Sequence, residues 1–203
     1  MKANSDSSKQ NIKRDRIKSY FLDAAVSIIT HDGYGQVSVR KVADIAGYSY
    51  ATIYNYFSSL NELLWDARAA MINDLQVYMM QNMPAAVRNI ADLSHVFSLF
   101  IDYHITHPNT FAFFYFCPLT QPESRKGEPG LDFEAMWQQT FKCFVENGAL
   151  NETDINTVAK ALTCSVCGML TLHFSGNGFE TAQQIKSDLD SILEYMLSPG
   201  RLK

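Results

Sequence analysis

The chain has 203 residues, of which 47% are hydrophobic and 12% aromatic, which suffices for one packed domain or for a small domain joined to a larger one. The polar N-terminus, MKANSDSSKQNIKRDR, has no apolar run behind it, and no stretch of about 18 apolar residues stands out. We therefore expect neither a secretory signal nor a membrane span, and a cytoplasmic location. Four unevenly spaced cysteines argue against a disulfide scaffold and predict free thiols.

Charge is unevenly distributed along the chain. Residues 1–60 contain eight Lys or Arg against five Asp or Glu, whereas residues 61–203 contain nine against sixteen. A basic head on an acidic body is typical of a protein that presents one end to nucleic acid, although a difference this small also arises by chance.

Helical periodicity dominates the sequence. Residues 1–11 have little to bury, and we expect a disordered arm there. Beyond them no strand pattern is visible, which predicts an all-α fold of about nine helices. The first helix ends at Gly33, where a left-handed cap is available. Its apolar face consists of Ile17, Phe21, Ala24, Ala25 and Ile28.

Two short helices follow around a glycine. Ser38 is a favourable N-cap for the second helix, Gly47 ends it, and Ser49 caps a third. This is the arrangement in which the second of two helices enters the major groove of DNA. We predict a helix-turn-helix DNA-binding domain over residues 12–60, although helical hairpins also occur without DNA.

The outward face of the third helix favours DNA binding over a purely structural role. From Ser49 to Ser59 no residue is charged, whereas an exposed structural helix favours Glu, Lys and Gln. Hydroxyl groups donate to phosphate oxygens, Asn pairs with the adenine edge, and Ala contacts the thymine methyl. The alternative is that the tyrosines pack against the next helix. With Ile53 and Phe57 turned inward, the outward residues are Tyr50, Ala51, Tyr54 and Asn55, flanked by Thr52 and Tyr56, and Tyr48 in the turn is predicted to pack in the core.

Residues 16–64 contain a series of motifs in a fixed order, namely Ala24–Ala25, Gly33–Tyr34, Ser38–Val39–Arg40, Ala46–Gly47 and Tyr54–Asn55–Tyr56–Phe57. In these motifs the segment resembles the N-terminal DNA-binding domain of the TetR family of bacterial transcriptional regulators. The resemblance implies that a set of polar side chains contacts DNA, with Tyr50, Ala51 and Asn55 favoured for base contacts. That set is Ser38, Arg40, Ser49, Tyr50, Thr52, Tyr54 and Tyr56.

The sequence departs from the family at two positions where a cation is usual. Leu60 stands where a Lys commonly meets phosphate, and Tyr50 replaces a common Lys or Arg. We therefore expect weaker electrostatic affinity and a shallower salt dependence, unless cations of the N-terminal segment compensate. Those cations, which are equally well explained as a solvated arm, are Lys9, Lys13, Arg14, Arg16 and Lys18.

Residues 61–203 are predicted to form a helical effector-binding and dimerisation domain, with two last helices at about 152–175 and 180–197. The last two helices carry small residues on one and large apolar residues on the other, which suits a four-helix dimer interface or packing within the monomer. The resemblance favours the homodimer. The residues concerned are Ala161, Ser165, Gly168, Leu172, Ile185, Leu189, Ile192 and Met196.

An aromatic cluster stands beside a loop over residues 117–130, which contains three prolines and two glycines. Most of the cluster is explained as the core of a helical bundle. Its density also suits an apolar ligand cavity with a mobile lid, and the resemblance implies a small-molecule effector. The predicted pocket residues are Phe97, Phe100, Tyr103, His104, Phe111, Phe114, Tyr115, Trp137, Phe141 and Phe144.

The sequence gives little support for metal binding, a thiol switch or catalysis. His104 and His107 with Cys117 lack a full metal-ligand set, and Cys164 and Cys167 form a C-x-x-C in the middle of a helix, where cysteine is usually a small core residue. No phosphate loop, nucleophile elbow or HExxH is present. We expect a non-enzymatic DNA-binding regulator without metal or cofactor. It is predicted to be a repressor that binds a palindromic operator as a dimer and that a small, largely apolar ligand releases. The alternative is a DNA-binding dimer controlled by a protein partner.

Overall fold

The computed structural model describes residues 2–126, 133–178 and 181–198. Within these ranges the protein is helical, which confirms the predicted all-α class, and it contains nine α-helices and three short 3-10 turns. The helices are α1 Lys2–Asp32, α2 Val39–Ala46, α3 Tyr50–Ile53, α4 Leu60–Asn82, α5 Ile90–Thr106, α6 Pro108–Phe116, α7 Phe133–Glu146, α8 Ile155–Phe174 and α9 Ala182–Leu197.

The chain divides into two compact units. The first comprises Met1–Leu75 with His107–Glu128, and the second comprises Gln76–Thr106 with Pro129–Lys203. The first unit therefore contains more than the predicted residues 12–60, because it also includes the N-terminal part of α4 and the whole of α6.

The core of the first unit forms where α1 packs against α2 and α6. The apolar face predicted for α1 is the buried face, with Phe21 and Ala25 wholly inaccessible. Helix α1 already begins at Lys2, where the sequence predicts a disordered arm. No Pro or Gly stands among residues 2–32 to end the helix.

The second unit is built around α8, which packs against α5, α7 and α9. Each of these helices contributes apolar side chains to the core. Helix α9 contributes every fourth residue, Ile185, Leu189, Leu193 and Leu197, all at most 1% exposed.

Among the described residues, one segment meets the length and hydropathy of a membrane span. It is Glu152–Phe174, which includes α8, and 39% of its most apolar window is buried within the protein. Seven residues of α8 are buried in the second unit, so core packing accounts for part of the apolar composition.

Candidate nucleic-acid interface

Helix α2 begins and ends as its sequence predicts. The Oγ of Ser38 accepts a hydrogen bond from the backbone N–H of Lys41 at 3.2 Å, which caps the N-terminus. Gly47 ends the helix with φ 77°, a left-handed conformation that favours glycine, and the N–H of Tyr48 donates to the carbonyl of Ala43 at 2.9 Å. The turn into α3 is thereby fixed.

Helix α3 is short and presents an uncharged face to solvent. Ile53 and Phe57 are each 1% exposed, so the inward face is the predicted one. Tyr50 and Tyr54 are 62% and 54% exposed. Seven of the nine predicted DNA-contacting residues are exposed, namely Ser38, Arg40, Ser49, Tyr50, Ala51, Tyr54 and Asn55.

The other two predicted residues are partly occupied by the protein itself. Thr52 is half-buried and its Oγ1 lies 2.8 Å from the Oγ of Ser49. Tyr56 is half-buried with its ring 5.7 Å from that of Phe21. Tyr48 likewise packs on Phe21 at 5.3 Å, as predicted for the turn tyrosine. The exposed surface of α3 and of the turn that follows it is therefore formed mainly by Tyr50, Ala51, Tyr54 and Asn55.

Three of the cations that could compensate for Leu60 and Tyr50 have partners within the first unit. Arg14 donates to the Asn55 carbonyl at 3.1 Å, and Arg16 donates to the Tyr20 hydroxyl at 2.8 Å. Lys18 binds Asp66 at 2.7 Å. Lys13 is exposed, which leaves it better placed than Lys18 to meet phosphate.

Two further cations lie on α2, within the helix-turn-helix. Arg40 is exposed on α2, whereas Lys41 binds the carboxylate of Asp32 at 2.7 Å. This hydrogen bond and charge hold the pKa of Asp32 below its usual range. Leu60 is half-buried and packs against the core of the first unit, so it cannot replace a phosphate-binding Lys.

A buried acidic site, which the sequence does not indicate, ties α4 to the segment after α6. Glu62 is 8% exposed and accepts hydrogen bonds from the Ser124 Oγ at 2.6 Å, the Ser58 Oγ at 2.6 Å and the Ser58 N–H at 2.7 Å. These hydrogen bonds, the one from Ser124 first, lower the pKa of Glu62 to about 2. One turn later, Asp66 binds Arg125 at 2.6 Å.

The loop predicted as a mobile lid is therefore anchored where the structure describes it. Besides the contacts of Glu62 and Asp66, the side-chain amide of Asn61 donates to the Thr120 carbonyl at 2.7 Å. These links fix residues 117–126 to the first unit. Residues 127–130 of the predicted loop lie outside the described residues.

The residues predicted to line a ligand pocket belong to two different units. In the second unit, Phe97 stacks on Trp137 at 6.3 Å between ring centres, and the ring of Phe141 lies 6.0 Å from that of Trp137. Phe141 and Phe144 are wholly or almost wholly buried there. The second-unit set is Phe97, Phe100, Tyr103, His104, Trp137, Phe141 and Phe144, and the first-unit set is Phe111, Phe114 and Tyr115. A pocket lined by all ten stays a prediction.

Two of the residues predicted for a dimer interface lie elsewhere. Ile185 and Leu189 are 0% exposed, because they belong to the buried stripe of α9 within the second unit. The other six are exposed or half-buried, and five of them line two adjoining surface grooves of about 330 and 540 Å³. Those five are Ala161, Ser165, Gly168, Leu172 and Ile192, and the sixth is Met196.

The histidine and cysteine hypotheses gain no support. His104 belongs to the second unit, whereas His107 and Cys117 belong to the first. Among the described residues, no group of three or more His, Cys, Asp or Glu side chains could hold a metal ion. The four cysteines are free thiols, and Cys164 is the exposed member of the C-x-x-C pair.

Known proteins resemble this chain both in the helix-turn-helix segment and in overall fold. Residues 21–66 match the family model of bacterial regulatory proteins, tetR family. No curated protein matches the chain. The crystal structure of a candidate transcriptional regulator from Streptomyces coelicolor A3(2) resembles this chain with a TM-score of 0.50, covering 89% of this chain and 94% of that one at 18% identity, which is a likeness of fold. The helix-turn-helix segment, residues 21–66, is therefore similar to the tetR family of bacterial regulatory proteins.

Proposed function

We propose that the protein binds a palindromic operator as a homodimer and represses transcription until a small, largely apolar ligand releases it. The observation that supports DNA binding is the uncharged, hydroxyl- and amide-bearing face of α3 and of the turn after it, on which Tyr50 and Tyr54 are 62% and 54% exposed. Such a face can donate to phosphates and read base edges without ion pairs.

The proposed dimer places the outward sides of α8 and α9 against those of a second copy. Small and apolar residues line the grooves there, including Gly168, Leu172 and Ile192. A two-fold dimer would present two copies of α3 about 34–36 Å apart, one turn of DNA, which is why the operator is expected to be palindromic.

Release by a ligand requires that the ligand bind one arrangement of the two DNA-binding domains better than the other. The aromatic side chains of the second unit are the proposed lining, but the close packing of Phe97, Trp137 and Phe141 equally suits a solid core. That packing favours, as the second candidate, a dimer controlled by a protein partner.

The first experiment is selection of random duplex DNA on the purified protein. The winning sequence is then titrated at several salt concentrations. We expect a palindrome whose half-site centres are about 10 base pairs apart, bound with a salt slope that reflects few phosphate contacts. Failure to enrich any sequence would contradict the proposed function.

The ligand is tested separately, with a library of small aromatic and aliphatic compounds. A compound that raises the melting temperature and also lowers operator affinity would support the sensor. A library that changes neither, combined with a bacterial protein that co-purifies with the dimer and alters operator affinity, would support partner control instead.

A further inference from the structure

A basic side chain of α1 contacts the turn that follows α3. The Nη2 of Arg14 donates to the carbonyl oxygen of Asn55 at 3.1 Å, and its guanidinium carbon lies 5.6 Å from the centre of the Tyr56 ring. We propose that Arg14 is a positioning residue for DNA recognition, which holds the turn carrying Tyr54 and Asn55 instead of binding phosphate itself. This inference rests on the proposed function of α3.

The end of α3 needs an external contact because the helix is only four residues long. After Ile53 the chain continues through i, i+3 hydrogen bonds, from the Asn55 N–H to the Thr52 carbonyl at 3.1 Å and from the Tyr56 N–H to the Ile53 carbonyl at 2.8 Å. The Phe57 N–H also donates to the Ile53 carbonyl at 3.0 Å, and the Asn55 carbonyl lies beyond these bonds. So short a helix has little stability of its own. Carbonyl groups at a helix end lack helical donors, and a cation there is favourable.

The position of Arg14 on α1 fits this role. It lies three residues before Ile17 and seven before Phe21 on the same helical face. Phe21 is wholly buried and its ring packs on Tyr56, one of the two residues that Arg14 contacts. Arg14 thus lies at the exposed end of the packed face of α1, and its neighbour Lys13 is likewise exposed.

The guanidinium group suits two contacts of different kinds. Its planar fork can donate to a carbonyl while its face covers an aromatic ring, which a Lys ammonium cannot reproduce. Lys also binds phosphate, as a point charge, so Lys at this position would preserve most of a phosphate contact. Arg14→Lys therefore separates the positioning role from a phosphate contact.

The first test needs no DNA. Amide hydrogen exchange is measured on the full chain with Arg14→Ala, Arg14→Lys and, as a matched control, Lys13→Ala. We expect Arg14→Ala to raise the exchange rates of the amides of residues 55–57 by roughly three- to tenfold, the loss of one charge-assisted hydrogen bond at an exposed site. Arg14→Lys should restore less than half of the protection, and Lys13→Ala should change nothing there. Unchanged exchange in Arg14→Ala would overturn the proposal.

The second test uses the operator selected by the wild-type protein. Arg14→Ala should discriminate roughly three- to tenfold less between that operator and versions altered in the half-sites, with an unchanged slope of log affinity against log salt. A uniform loss across sequences, with a slope shallower by about one and restored by Lys, would show a phosphate contact and overturn the proposal. If the wild type enriches no sequence, the proposed function fails, while the exchange measurement still decides the role of Arg14.

Discussion

The hydroxyl of Tyr54 separates DNA contact from core packing most directly, since Tyr54→Phe keeps the ring and removes only that group. With the side chain 54% exposed, the hydroxyl should contribute little to folding. We expect operator affinity to fall about two- to tenfold, the value of one hydrogen bond, with the melting temperature unchanged. Titration of the selected duplex and thermal melting check both.

Tyr115→Phe is the matched control, because Tyr115 is also exposed but lies on α6. It should leave operator affinity unchanged. Unchanged affinity in Tyr54→Phe together with a lower melting temperature would contradict a DNA role and indicate packing.

Glu62 predicts a pH-dependent contribution to stability. Its pKa is lowered from 4.5 to about 2 by the hydroxyl groups of Ser124 and Ser58 and the Ser58 N–H. A lowered pKa means that the ionised form is stabilised by folding, so the contribution is complete above pH 4.5 and is lost as the pH falls through about 2. Glu62→Gln, which keeps the size but not the charge, should lower the free energy of unfolding at neutral pH by on the order of 2 kcal/mol.

Urea unfolding of wild type and Glu62→Gln at a series of pH values checks this. The difference between the two should be constant near neutrality and should shrink between pH 4.5 and about 2. Glu123→Gln is the control, because Glu123 is an exposed partner of Lys126, and its loss should cost less than about 0.5 kcal/mol. A difference independent of pH would show that the charge of Glu62 does not stabilise the fold.

The local elements were predictable because their signals are local. The N-cap Ser38, the left-handed Gly47 and the inward pair Ile53 and Phe57 follow from spacing and residue type. The attachment of Arg14 to Asn55 joins residues 41 apart in sequence. Helical periodicity predicts which face of a helix is buried, and Arg14 shares the face of Ile17 and Phe21. It does not predict which distant polar group a side chain on that face contacts.

The segment after α6 is a second case in which contacts between residues distant in sequence could not be predicted. Its prolines and glycines predict a loop, and a loop beside aromatic residues suggests a lid. Residues 117–126 are instead tied to α4 by Asn61, Glu62 and Asp66, which lie about 60 residues earlier. In α9, the spacing that predicted an interface at Ile185 and Leu189 marks the core of the monomer, because a periodic apolar stripe does not distinguish the two.

Arg125 is the strongest of these links and gives a prediction about the segment. Its Nε and Nη2 donate to the two carboxylate oxygens of Asp66 at 3.1 and 2.6 Å, a bidentate pair. Arg125→Ala should lower the free energy of unfolding by about 1 kcal/mol and speed tryptic cleavage after Lys126. Glu123→Ala, which removes an exposed partner of Lys126, should leave the cleavage rate unchanged and lower the free energy of unfolding by less than about 0.5 kcal/mol. Equal cleavage rates in wild type and Arg125→Ala would show that Asp66 does not hold the segment.

For the whole molecule, the proposed dimer can be tested at a position where the monomer tolerates change. Gly168 is exposed on α8, and a Cβ added there would meet no atom within 4 Å. Gly168→Glu should therefore fold normally but place a charge in the groove that Leu172 and Ile192 line. Burying an unpaired carboxylate against a second copy is costly, so the dimer should dissociate.

Sedimentation measures the oligomeric state of this variant, and operator titration measures its affinity for DNA. We expect Gly168→Glu to be monomeric at micromolar concentration, with a melting temperature set by the fold of the monomer. It should bind the operator at least about 100-fold more weakly, because a monomer cannot occupy both half-sites at once. Gln183→Glu adds a charge at an exposed position of α9 outside the groove and should remain dimeric. A Gly168→Glu protein that stays dimeric would place the interface on another face, and a monomeric variant with full operator affinity would show that recognition does not require a pair of α3 helices.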